Sequence, residues 1–192
     1  MGAIFQSLGR TVLAGVVLLI LLLLVAGTNV AGHAWATFAM RWLHVSAGVM
    51  WIGLLWYFNF VQIPSMPKIP DEQKPAITKV IAPTALFWFR WAALATVVTG
   101  LLVATMSGYL IPALSIQKPV VAIGIGMWLA LVMAFNVWFI IWPNQQKALG
   151  LVPVEAAEKA KAARLAMLTS RANTMLSIPM LYCMVAQQNG GL

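Results

Sequence analysis

At 192 residues, with 62% hydrophobic and only 8% charged side chains, the chain cannot dissolve in water as one ordinary globular domain, so its solvent is expected to be a lipid bilayer. The net charge of +8 comes from twelve Lys and Arg gathered mainly in two loops beside apolar runs, which is a pattern of membrane topology and not of nucleic-acid binding. A single cysteine, Cys183, excludes an internal disulfide or a two-cysteine metal site, and the lack of C-x-x-C-H excludes a covalently attached c-type haem.

Apolar runs at 11–27, 37–61, 84–107 and 119–142 are each near or above the roughly 17 to 25 residues a spanning helix needs. The first also fits a signal peptide, since Arg10 precedes it and small residues lie near Gly27; a retained helix is the preferred reading.

The second run carries the most information. At about 100° per residue, Arg41, His44, Gly48, Trp51, Leu55, Asn59 and Gln62 share one face, with Trp42, Val49, Trp56 and Phe60 on the other. The first stripe is expected to face protein. An imidazole inside a membrane helix is costly without a partner, so His44 is a functional-site candidate by default. The bland alternative is a histidine bonded to a carbonyl or hydroxyl on a neighbouring helix. Gly48, one turn on, leaves room for a flat cofactor or a close helix.

From Ile63 to Pro83, five prolines among Lys68, Asp71, Glu72, Lys74 and Lys79 predict an irregular connection, with Pro83 in the first turn of the third span. Thr96, Gly100 and Ala104 follow small-xxx-small spacing, and Asn136 is placed to bond between helices. Over 153–171, early Glu155 and Glu158 with later Lys159, Lys161 and Arg164 predict a helix matched to its dipole, with Glu155 and Lys159 spaced for a pair. It is expected to run into a fifth span over 172–186, where Asn173, Ser177, Met180 and Met184 share a face.

With these spans, ten Lys and Arg fall on one side and only Arg41 and Lys118 on the other. The amino terminus is therefore predicted to be cytoplasmic. No Asp or Glu lies inside a span, which argues against a carboxylate proton relay or cation pathway. Phosphate loops, hydrolytic triads and zinc motifs are also missing.

Three separated segments, RWLHVSAGVMWIGLLWYFNFVQIPSMPKI, IIWPNQQKALG and SRANTMLSIPMLYCM, resemble the amino-terminal membrane domain of the membrane-bound, cytochrome c type urate oxidases, from about Thr37 onward. In that family a haem-bearing cytochrome c domain follows, and the sequence given ends where it would begin, so urate oxidation by this segment alone is not expected. The H-x-x-x-G-x-x-W-x-G pattern of His44, Gly48, Trp51 and Gly53 is similar to helices of copper-resistance membrane proteins and of the bacterial haem-binding membrane protoporphyrinogen oxidase. The latter implies haem ligation by His44. The resemblance lapses after Leu55, where Trp56, Tyr57, Phe58, Asn59 and Phe60 replace a usual basic segment.

The expectation is an all-α integral membrane protein with about five transmembrane helices, in a single domain that crosses the bacterial cytoplasmic membrane. Its predicted role is haem-b-binding electron transfer with a cytochrome, quinone or membrane oxidoreductase, as a monomer or a homo-oligomer. The alternative is a non-catalytic anchor subunit of a larger membrane complex. His44 would ligate the haem metal beside Gly48 and Trp51, Arg41 would pair a propionate or snorkel to the surface, and the second axial ligand would be His33, in the outer loop, or Met184.

Overall fold

The computed structural model describes residues 2–191, apart from the Ala3 side chain, and is helical throughout, with no strand among the described residues. The helices are α1 (Gly2–Phe5), α2 (Leu8–Val25), α3 (His33–Lys68), α4 (Lys74–Met106), α5 (Leu110–Leu114), α6 (Val121–Ala148) and α7 (Ala156–Asn189). Of these, α2, α3, α4 and α6 are long and apolar enough to cross a membrane.

The chain divides into two compact units, residues 1–38 and 39–192. The first holds α1, α2 and the opening turns of α3. No residue of α2 is buried, and its leucines and valines lie bare.

In the second unit the core forms where α3, α4, α6 and α7 meet. Trp51, Leu55 and Phe58 of α3 pack with Leu86, Phe89 and Ala93 of α4, Met133, Val137 and Ile141 of α6, and Met180 of α7. The stripe expected on α3 is the buried one: Trp51 and Leu55 are fully enclosed, whereas Val49 and Phe60 are exposed. Between α6 and α7 the packing is locked by amides. Asn136 Nδ2 donates to Asn173 Oδ1 at 2.8 Å, and Asn173 Nδ2 donates to the Met133 carbonyl at 2.9 Å. Trp56 Nε1 donates to Ser177 Oγ at 3.0 Å, tying α3 to α7. Small residues set the approach of α5 to α6, since a Cβ on Gly124 would lie 2.2 Å from the Ala113 carbonyl oxygen.

Three stretches widen into π turns: Tyr57–Gln62 in α3, Ile77–Ile81 in α4 and Asn136–Ile141 in α6. Each ends two residues before a proline, Pro64, Pro83 or Pro143. Proline has no N–H for the carbonyl four residues back, and its ring crowds that carbonyl; a wide turn relieves the crowding without ending the helix. The irregular connection expected from Ile63 to Pro83 is therefore corrected. Helix continues through Lys68 and resumes at Lys74, and Pro83 lies inside α4.

The expected helix over 153–171 and the run at 172–186 are one element, α7, with Pro179 inside it. It is not among the four helices apolar enough to span on composition, because charge fills its first half. Glu158 pairs with Lys147 of α6 at 2.6 Å. The pair foreseen between Glu155 and Lys159 is not found among the described residues.

Candidate functional site

A cavity of about 560 Å³ lies among α3, α4, α6 and α7, and Arg41, His44, Gly48, Trp51 and Met184 all line it. They arrive from different helices by simple spacing. On α3 the first four recur at intervals of three or four residues and so stack along one face. Met180, Met184 and Gln188 do the same on α7.

His44 is the best-defined group. Its Nδ1 lies 2.9 Å from the Thr96 carbonyl oxygen and 3.4 Å from Thr99 Oγ1. A carbonyl only accepts, so Nδ1 carries the proton and donates it, and Nε2 keeps its lone pair. This second contact orients the ring and leaves the other nitrogen as a base or ligand.

Gly100 makes the arrangement sterically feasible. A Cβ there would stand 2.8 Å from His44 Cε1 and 3.1 Å from Nδ1, too close for both to remain. The sequence pattern marked Gly100 only as a helix-packing residue, because nothing local connects it to a histidine 56 positions earlier. Gly48, one turn beyond His44, meets Thr96 Cγ2 at 3.8 Å and would accept a methyl in ordinary contact.

Trp51 is fully buried, and its indole Nε1 has no hydrogen-bond partner. A buried donor without an acceptor carries the full cost of its desolvation, and here it stands in the wall of the cavity. Tyr109, Arg41 and Gln188 add polar groups to an otherwise apolar lining. Burial pushes the Tyr109 phenol upward, and the charge of Arg41 pulls it the other way.

His33 does not line this cavity. It is the first residue of α3 and not part of a loop, with Nε2 3.4 Å from Thr37 Oγ1 on its own helix. No cluster of three or more His, Cys, Asp or Glu able to hold a bare metal ion occurs among the described residues.

A haem can be tested against this lining. It brings four equatorial nitrogens of its own and asks the protein for axial ligands, polar contacts for its carboxylates and a largely apolar pocket. His44 Nε2 offers one axial ligand, Met184, Met180 and Met127 offer thioethers, and Arg41 and Tyr109 offer polar contacts within one lining. These residues fit the group.

The fold and cavity thus define an all-helical protein, four of whose helices have the length and apolarity to cross a membrane. Residues 113–190 match the family model described as urate oxidase N-terminal, which supports membership of the chain in the urate oxidase N-terminal domain family. The match takes in IIWPNQQKALG and SRANTMLSIPMLYCM on α6 and α7, includes Met184, and stops short of the α3 segment that carries His44. No curated protein and no solved structure matches the chain.

Proposed function

We propose that the chain is a multi-pass membrane protein that binds haem b at His44 and passes electrons between a membrane reductant and a cytochrome partner. The observation that carries this reading is the His44 imidazole, whose Nδ1 is committed to the Thr96 carbonyl while the ring lines a cavity of about 560 Å³. Haem bound there would supply one-electron chemistry at an iron whose potential depends on its axial ligands and burial. The chain's own part is to orient the imidazole through Thr96 and to exclude water with Trp51, Met127 and Met180. It also places Arg41 where a propionate charge is matched.

Membrane insertion belongs to the same proposal. Val49, Phe60, Phe139, Ile178 and Val185 are large apolar side chains exposed on the second unit, and their natural solvent is lipid. Five crossings, by α2, α3, α4, α6 and α7, with a cytoplasmic amino terminus put the charge excess inside. A bacterial cytoplasmic membrane is the setting this topology suits.

Purified protein, expressed with an adequate haem supply, tests the reading through its absorption spectrum. A Soret band with reducible α and β bands is expected, and its absence would overturn the haem assignment. A second reading, an anchor subunit of a larger membrane complex, is favoured by the bare apolar surface of α2 and by a His44 already bonded between helices. Copurifying subunits without haem would select it.

A further inference from the structure

A second cavity, of about 290 Å³, opens where the charged ends of α3, α4, α6 and α7 come together. Its Gln62 follows His44 by eighteen positions on α3, about 27 Å of helical rise. All three π turns meet there: Gln62, Thr78 and Ile141 in its wall belong to the widened turns of α3, α4 and α6 respectively. Such turns are rare and concentrate at functional sites, so three on one cavity call for a ligand-based account.

The chemistry of the wall narrows that ligand. Gln62 Oε1 is buried with no donor, and so is Asn59 Oδ1 one turn earlier. The Asn59 amide cannot be turned to remedy this, because its Nδ2 donates to the Leu55 carbonyl at 2.9 Å and to Ser170 Oγ at 2.8 Å. The site therefore lacks hydrogen-bond donors, not acceptors. No charged side chain lines the cavity, so a phosphate or carboxylate would find no counter-charge and a free cation no carboxylate. Phe58 and Phe89, packed edge to face at 5.6 Å, together with Met167, form the apolar remainder. The volume lies just below the range of drug-sized pockets and suits a single substituted ring.

We infer that this cavity binds the head group of a membrane quinol, with a ring hydroxyl donating to Gln62 Oε1. The quinol brings the missing donor and a neutral ring, and its tail stays in the lipid. Its oxidised form, the quinone, has only acceptors and would set its carbonyl against an unpaired amide oxygen. The site should therefore distinguish the two redox states. Binding alone is inferred here, and it does not depend on haem at His44.

The test is calorimetric titration of the purified full chain in nanodiscs, with decylubiquinol under anaerobic reducing conditions and with decylubiquinone. Saturable binding is expected, about tenfold tighter for the quinol, the value of one hydrogen bond to a buried acceptor. Gln62→Met keeps side-chain length and should remove that preference, with thermal unfolding checking that the variant is folded. If it is not, the wild-type comparison of quinol with quinone decides. The His44→Ala chain, haem-free on the reading above, should keep the preference, which separates this site from the haem assignment. Equal affinity for quinol and quinone, no binding of either, an unchanged preference in folded Gln62→Met, or its loss in His44→Ala would overturn the inference.

Discussion

His44 and Gly100 occupy one another's space: the imidazole lies where a side chain on Gly100 would begin, 2.8 Å from the position of its Cβ. A single methyl at position 100 should therefore push the ring away from the Thr96 carbonyl. Gly100→Ala is expected to cost about 1 to 3 kcal/mol through overpacking and to weaken haem retention even though residue 100 ligates nothing. Thermal unfolding in detergent and the absorption spectrum measure the two effects. Thr99→Ala, which removes only a 3.4 Å contact, should change both much less.

His44→Ala should abolish haem retention, because it removes both the axial bond and the group that orients the ring. His33→Ala should retain haem, since His33 lies outside the lining. Met184→Ala is expected to keep haem bound with a shifted spin state if Met184 supplies the sixth ligand. Spectra of the three purified variants check this. A wild-type spectrum in His44→Ala would refute the assignment.

The lopsided charge distribution of ten against two fixes an expected orientation. Reporter fusions should place 68–79 and 147–171 in the cytoplasm and Gly190 outside. A cytoplasmic Gly190 would rule out five crossings.

Asn173 is fully buried, accepting from Asn136 and donating to Met133. Asn173→Leu should lose about 1 to 3 kcal/mol, because the Asn136 amide loses its buried partner. The double variant with Asn136→Leu should recover part of the loss, since replacing both partners leaves less polarity unpaired. Unfolding midpoints of the single and double variants measure the coupling.

What could be read from the sequence follows from distance along the chain. The buried face of α3 was legible because one helix with a 3.6-residue period sorts its own side chains, and Trp51 and Leu55 fall inward for that reason. The same logic put Asn173, Ser177 and Met180 on one buried face of α7. Contacts between helices were not legible: the His44 bond to Thr96 spans 52 positions, and no local pattern encodes it. The prolines were read with the right chemistry and the wrong outcome. Pro64 and Pro83 signal a break when neighbours are ignored, but packing against other helices makes a widened turn cheaper than a stop. For Glu155, Lys159 was an available neighbour within the helix, yet the recorded ion pair joins Glu158 to Lys147, brought close only by the turn between α6 and α7.

The three widened turns have a consequence for the phase of each helix. A π turn takes in about one residue more than an α-helix uses over the same rise, so whatever follows it is rotated by about 100° relative to whatever came before. In α3 that rotation falls between the lipid-facing Val49 side and the polar sequence from Asn59 to Gln62, and it turns amide side chains inward at the depth where the helix meets its charged end. α4 and α6 carry their own wide turns at the same cavity. Each helix therefore has two azimuthal settings, one for the apolar length and one for the inner end. Removing a single residue from Tyr57–Gln62 would return α3 to one setting and swing Gln62 away from the cavity, while leaving the register of His44 unchanged.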